Sequence, residues 1–146
     1  MNTLKFGVYI FLGIAAFFML MKLFGLEQVS GLRVVNIAIV IFFTNRLAKR
    51  NLQDKPDVEY PQALVSLFIA NALSVALSII GFIFYVRVID PQFLSQFNEG
   101  ILWAGKMDLW KAVASLFMEG MAGSLVVSYI IMQYWKDVKF PAKGKM

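Results

Sequence analysis

Residues 61–86 read PQALVSLFIANALSVALSIIGFIFYV, and no charged residue occurs between Glu59 and Arg87. A helix needs about 20 consecutive apolar residues to cross a hydrocarbon layer ~30 Å thick, so this stretch spans with tilt to spare. Pro61 suits its first turn, where the missing N–H is no loss. Working outward, Ala112 to Trp135 is comparably long between Lys111 and Lys136. Trp103 and Trp110 before it, and Tyr134-Trp135 at its far end, are placed to anchor in the two membrane–water interfaces.

Two further apolar stretches precede these. Phe6 to Met21, between Lys5 and Lys22, reaches spanning length if both lysines snorkel toward the headgroups. Its run continues through Phe17-Phe18-Met19-Leu20-Met21, where a cleaved signal peptide would turn polar, so we expect it to be retained. Leu32 to Thr44 is the shortest, since twelve residues separate Arg33 from Arg46. A helix beginning at Ser30, with Arg33 snorkelling, lengthens it to a span; a buried re-entrant segment is the alternative. The expectation is an all-α integral membrane domain over residues 1–146. Its four transmembrane helices lie at about 5–24, 30–47, 61–86 and 112–135.

Composition agrees with lipid as the solvent. Hydrophobic residues make up 60% of the chain and charged residues 16%, against about a quarter charged in soluble proteins. With no Cys and no His, the usual zinc, iron–sulfur and haem ligand sets are missing, as are Cys/His nucleophile pairs. No cofactor is expected. The net charge of +5 does not point to nucleic acid, because the basic residues flank the apolar stretches rather than forming a face of their own. They read instead as topology signals.

Four spans place both termini on one side. That side holds Lys5, Arg46, Lys49, Arg50, Lys55, Lys136, Lys139, Lys143 and Lys145; the other holds Lys22, Arg33, Arg87, Lys106 and Lys111. The excess predicts both termini in the cytoplasm. Asn45 to Tyr60 then becomes a charged cytoplasmic linker, with Lys55-Pro56-Asp57 breaking any helix. In the outer loop, Asp90-Pro91 reads as a helix start, with Phe93, Phe97 and Ile101 following at helical spacing. The pattern predicts a short amphipathic helix on the outer membrane boundary, between the third and fourth spans, or one that docks a partner.

The layout resembles a family of small four-span bacterial inner-membrane proteins of unknown function. The residues that carry the resemblance are Tyr60-Pro61-Gln62-Ala63 and the passage Tyr85-Val86-Arg87-Val88-Ile89-Asp90-Pro91-Gln92-Phe93-Leu94. The resemblance implies the fold and a multi-pass location in the bacterial inner membrane, and no chemistry or functional residue.

One acid stands deep inside an apolar stretch: Glu119. A charged side chain at that depth costs roughly 3 kcal/mol on insertion scales, so it is expected to face the bundle interior, a cavity or a partner. At about 1.5 Å of rise per residue, Glu119 lies ~11 Å from the outer face, Asn71 ~15 Å from the inner face and Ser74 ~20 Å up. If the third and fourth helices pack as a hairpin, Asn71, Ser74 and Glu119 form one polar contact, with Arg33 as a competing partner. Ala70, Ser74 and Ser78 on one helix, and Gly120, Ser124 and Ser128 on the other, are the small-xxx-small pattern that lets backbones approach, within a subunit or between copies.

No Gly-rich phosphate loop, nucleophile elbow or carboxylate pair is present, which argues against an enzyme. The expectation is a non-catalytic accessory or scaffolding subunit whose partners are the bilayer and other membrane subunits or copies of itself. A small transporter or channel component, with Glu119 in a polar path between helices, is the alternative.

Overall fold

The computed structural model describes residues 2–25, 33–54, 58–96 and 108–138. Its described residues form four long helices and no strand: α1 (Asn2–Leu23), α2 (Arg33–Asp54), α3 (Tyr60–Phe84) and α4 (Leu109–Trp135). Among the described residues, three segments are long and apolar enough to cross a membrane: Thr3–Leu23, Tyr60–Ile89 and Leu109–Trp135. In the most apolar window of each, 22%, 22% and 28% of the residues are buried. Much of the remainder is exposed, as in Leu12 and Leu20 of α1, Ile69 and Ile80 of α3, and Val126 and Ile130 of α4. Water would not solvate such faces, whereas lipid does.

The helices run up, down, up, down. Thr3 meets Ser66, Gly7 meets Ala70 and Lys22 meets Tyr85, a constant offset of 63 residues that makes α1 and α3 parallel over their whole length. The pairs Thr44–Asn71 and Asn51–Ser66 set α2, and Asn71–Ser128 and Tyr60–Gln133 set α4, antiparallel to α3, and α3 packs against all three other helices. Gly7 allows α1 a close approach to the main chain of α3. A Cβ there would lie 2.9 Å from the main-chain oxygen of Ala70, so only glycine lets α1 settle onto α3 at this depth.

Two packed clusters lie at opposite ends of the bundle. At the end where the described chain begins and finishes, Phe6, Leu47, Ala48, Leu67, Val127 and Met132 are buried together. At the other end, Tyr85, Val86 and Phe93 are buried, with Phe18, Phe82 and Leu109 against them. The ring of Phe93 packs edge-on against Phe18, Phe82 and Tyr85 at centroid distances of 6.1, 6.3 and 5.3 Å.

Local geometry differs from the sequence-based expectation in three places. First, α2 continues to Asp54 instead of giving way to a linker at Asn45. Thr44, Leu47 and Ala48 are buried and Asn51 is half-buried on one face, while Arg46, Lys49 and Arg50 are exposed on the other, so the segment is an amphipathic helix packed on the bundle. Second, α2 carries too many polar residues to stand among the three apolar segments; residues 26–32, where its lengthening toward Ser30 was expected, lie outside the described residues. Third, the short amphipathic helix expected after Asp90-Pro91 does not begin as an α-helix. After α3 the chain makes a π-helical turn, Tyr85–Ile89, closed by Asp90 N–H donating to the Tyr85 carbonyl at 3.0 Å. It then makes a 3₁₀ turn, Phe93–Gln96. Burial of Phe93 against the bundle turns this passage inward. Phe97, Ile101 and Trp103 of the expected outer helix lie outside the described residues.

Candidate functional site

The polar interior is built around Asn71. Its side chain is 1% exposed; its Oδ1 accepts from Thr44 Oγ1 at 2.9 Å and its Nδ2 donates to Ser128 Oγ at 3.0 Å. One amide thus ties α2, α3 and α4 together. Ser74 turns back onto its own helix, donating to the Asn71 carbonyl at 2.7 Å, and Ser124 does the same to Gly120 at 2.7 Å. Such local bonds spare a hydroxyl the cost of burial without a partner. Closer to the chain ends, Ser66 Oγ pairs with Thr3 Oγ1 at 2.8 Å and accepts from Asn51 Nδ2 at 2.9 Å. Gln133 Nε2 donates to Tyr60 Oη at 3.0 Å, and Trp135 Nε1 donates to Asn45 Oδ1 at 2.6 Å.

Glu119 takes no part in this network. It lies on the exposed face of α4, with no hydrogen-bond or ion-pair partner among the described residues. The reason is helical phase. Ser124, Val127, Ser128 and Ile131 mark the buried arc of α4, and at 100° per residue Glu119 falls on the opposite side, in line with exposed Gly123, Val126 and Ile130. The expected contact of Glu119 with Asn71 and Ser74 is therefore not formed within the chain, although both of those residues are buried. Arg33 begins α2, and its side chain lies outside the described residues.

The small residues are used inside the subunit, and not all between α3 and α4. Ala70 faces Gly7 of α1, and Ser128 bonds Asn71. Gly120 takes Val75, whose methyls would be 2.8 Å from a Cβ. Ser78 Oγ is buried without a partner among the described residues, as is Asn36 Oδ1. Of the expected anchors, Trp110 and Tyr134 are exposed, while Trp135 is half-buried on α2 through Asn45. Trp103 lies outside the described residues.

At the opposite end, Lys22 of α1 donates to Tyr85 Oη and stands 4.0 Å from an Asp90 carboxylate oxygen. This joins α1 to the turn after α3. No group of three or more acidic side chains comes together among the described residues. An apolar groove of about 370 Å³ opens between α3 and α4, lined by Leu64, Phe68, Leu125, Val126, Ser128, Tyr129 and Ile130.

Sequence reasoning missed Thr44 as the partner of Asn71. The signal was there: Thr44, Leu47, Ala48 and Asn51 recur at helical spacing, which marks the inward face of a helix continuing past Asn45. No family model, curated protein or solved structure matches the chain.

Proposed function

We propose that this chain is a non-catalytic accessory or scaffolding subunit of a membrane complex. In this reading it has four spans, with α2 as the fourth, and both termini in the cytoplasm of a bacterial inner membrane. The observation that carries it is the division of polar groups. In the interior, Thr44, Asn71 and Ser128 bond one another and Ser74 bonds its own helix, while the acid within an apolar span is presented outward without a partner among the described residues. A group so expensive in lipid is stabilised when another subunit covers it. The fourth span is supported by the length of α2, 22 residues, and by its antiparallel run against α1, where Ile39 and Phe43 close over Gly13. The Lys/Arg distribution supports the orientation.

The test is recovery of the tagged full-length chain from its native membrane in a mild detergent, comparing wild type with Glu119→Ala. A subunit at fixed stoichiometry, lost or depleted in the variant, is the expected result. Recovery of both proteins as identical monomers would overturn the reading. A second reading, transport, is favoured only by the same outward position of Glu119, which can line a path between copies. It predicts proton or ion flux in liposomes that Glu119→Gln abolishes without changing assembly.

A further inference from the structure

The face of α2 that closes on α1 changes character along its length. Ile39 and Phe43 lie over Gly13, and the same alternation of four and three residues continues to Arg46 and Arg50, so both arginines edge the seam between the two helices. Levels along the axis follow from two contacts. Thr3 and Asn51 share Ser66, and Gly13 meets Ile39 and Phe43, which in an antiparallel pair puts Lys5 level with Lys49, between Arg46 and Arg50. Lys5, Arg46 and Arg50 are exposed, and none has a hydrogen-bond or ion-pair partner among the described residues. α1 carries no acid, and the only one on α2 is Asp54, one turn past Arg50.

We propose that this seam binds an anionic phospholipid, with the headgroup phosphate held among Lys5, Arg46 and Arg50. Charge complementarity is the first ground. Two arginines at i and i+4 repel each other, and an anion placed between them and the lysine replaces that repulsion with attraction, in the fork geometry that guanidinium groups offer to phosphate. Position separates a lipid from a free phosphate. Just before the arginines α2 exposes the apolar Ile41 and Phe42, and on α1 a shallow groove of about 360 Å³ runs along Leu4, Lys5, Val8 and Tyr9. The anion site therefore opens onto a surface for a hydrocarbon chain, and Lys5 belongs to both, which matches an amphiphile seated in a basic pocket between membrane helices. The inference rests on the placement of α2 as a span and does not depend on Glu119. Labelling of Lys49→Cys from one side of the membrane tests that placement by itself.

The test titrates the full-length protein in a mild detergent with phosphatidylglycerol, or with phosphatidylcholine, and counts bound lipid by native mass spectrometry. One phosphatidylglycerol per chain is expected to bind more tightly than phosphatidylcholine. Lys5→Gln, Arg46→Gln and Arg50→Gln should each raise its dissociation constant about fivefold. Lys49→Gln, exposed on α2 but further round the helix from α1, should raise it less than about twofold, because the cation lies off the seam. All four side chains are exposed, so thermal unfolding without added lipid is expected to stay as in wild type. Excess inorganic phosphate should leave the lipid bound. Equal affinity for the two lipids, or binding of neither, overturns the proposal. A loss at Lys49→Gln as large as at the seam residues also overturns it, since a diffuse positive field would then account for the binding. Displacement by inorganic phosphate overturns the assignment to a lipid.

Discussion

Replacing Asn71 by Leu removes the hub of the interior network while keeping the number and branching of the side-chain heavy atoms. Two interhelix hydrogen bonds are lost, at 2.9 and 3.0 Å, both between residues that are essentially inaccessible. Interhelix hydrogen bonds in membranes average about 0.6 kcal/mol in double-mutant cycles, with a ceiling near 1.7. Two of them give about 1.2 kcal/mol. The stranded hydroxyls of Thr44 and Ser128 can fall back on carbonyls of their own helices, which keeps the loss near this figure rather than at the several kcal/mol of an orphaned buried group. The assay is reversible unfolding in mixed micelles, with the cycle Thr44→Ala, Asn71→Leu and the double variant. The expected outcome is a loss of about 1.2 kcal/mol for Asn71→Leu and a Thr44–Asn71 coupling of about 0.6 kcal/mol. A neutral or stabilising Asn71→Leu, with zero coupling, would refute the claim that this amide holds three helices together.

Two further outcomes follow from the packing and the charge distribution. Gly7→Ala drives a methyl against the Ala70 main-chain oxygen, 2.9 Å away, which α1 can relieve only by moving off α3. A loss of about 1–3 kcal/mol is expected in the same unfolding assay, against no loss for Gly123→Ala, whose Cβ meets nothing. Thiols introduced singly at Lys49, Glu59 and Lys136 should react with a membrane-impermeant maleimide only in inverted vesicles, and one at Gln92 only in intact cells. Labelling of Lys49→Cys and Gln92→Cys from the same side would refute four spans.

Much of the fold is legible along the chain, because lipid imposes a length and a polarity on each helix that local composition reports directly. The uncharged run after Pro61 and the lysine-flanked runs of α1 and α4 needed no tertiary information to be read as candidate spans. α2 was harder to bound, because its second half is amphipathic and its polar residues resemble a linker until Leu47 and Ala48 are seen to be buried. The Asp90-Pro91 passage misleads for a similar reason: its local pattern favours a helix start, and burial of Phe93 among three aromatic rings redirects it.

For the candidate site, the sequence by itself singled out the right residue types and left their partners open. Glu119 stands out because an acid in an apolar run is costly wherever it points. Depth along each helix follows from the rise per residue, so Ser74 and Glu119 are close to level by arithmetic alone. Azimuth does not follow, since each residue turns the helix by 100° and the face turned inward depends on which neighbours surround it. Only the tertiary packing decided that Asn71 meets Thr44 and Ser128, that Ala70 serves α1, and that Glu119 looks out of the bundle. The rotation of α4 about its axis is set by four helices packing at once, and no single stretch of sequence contains it.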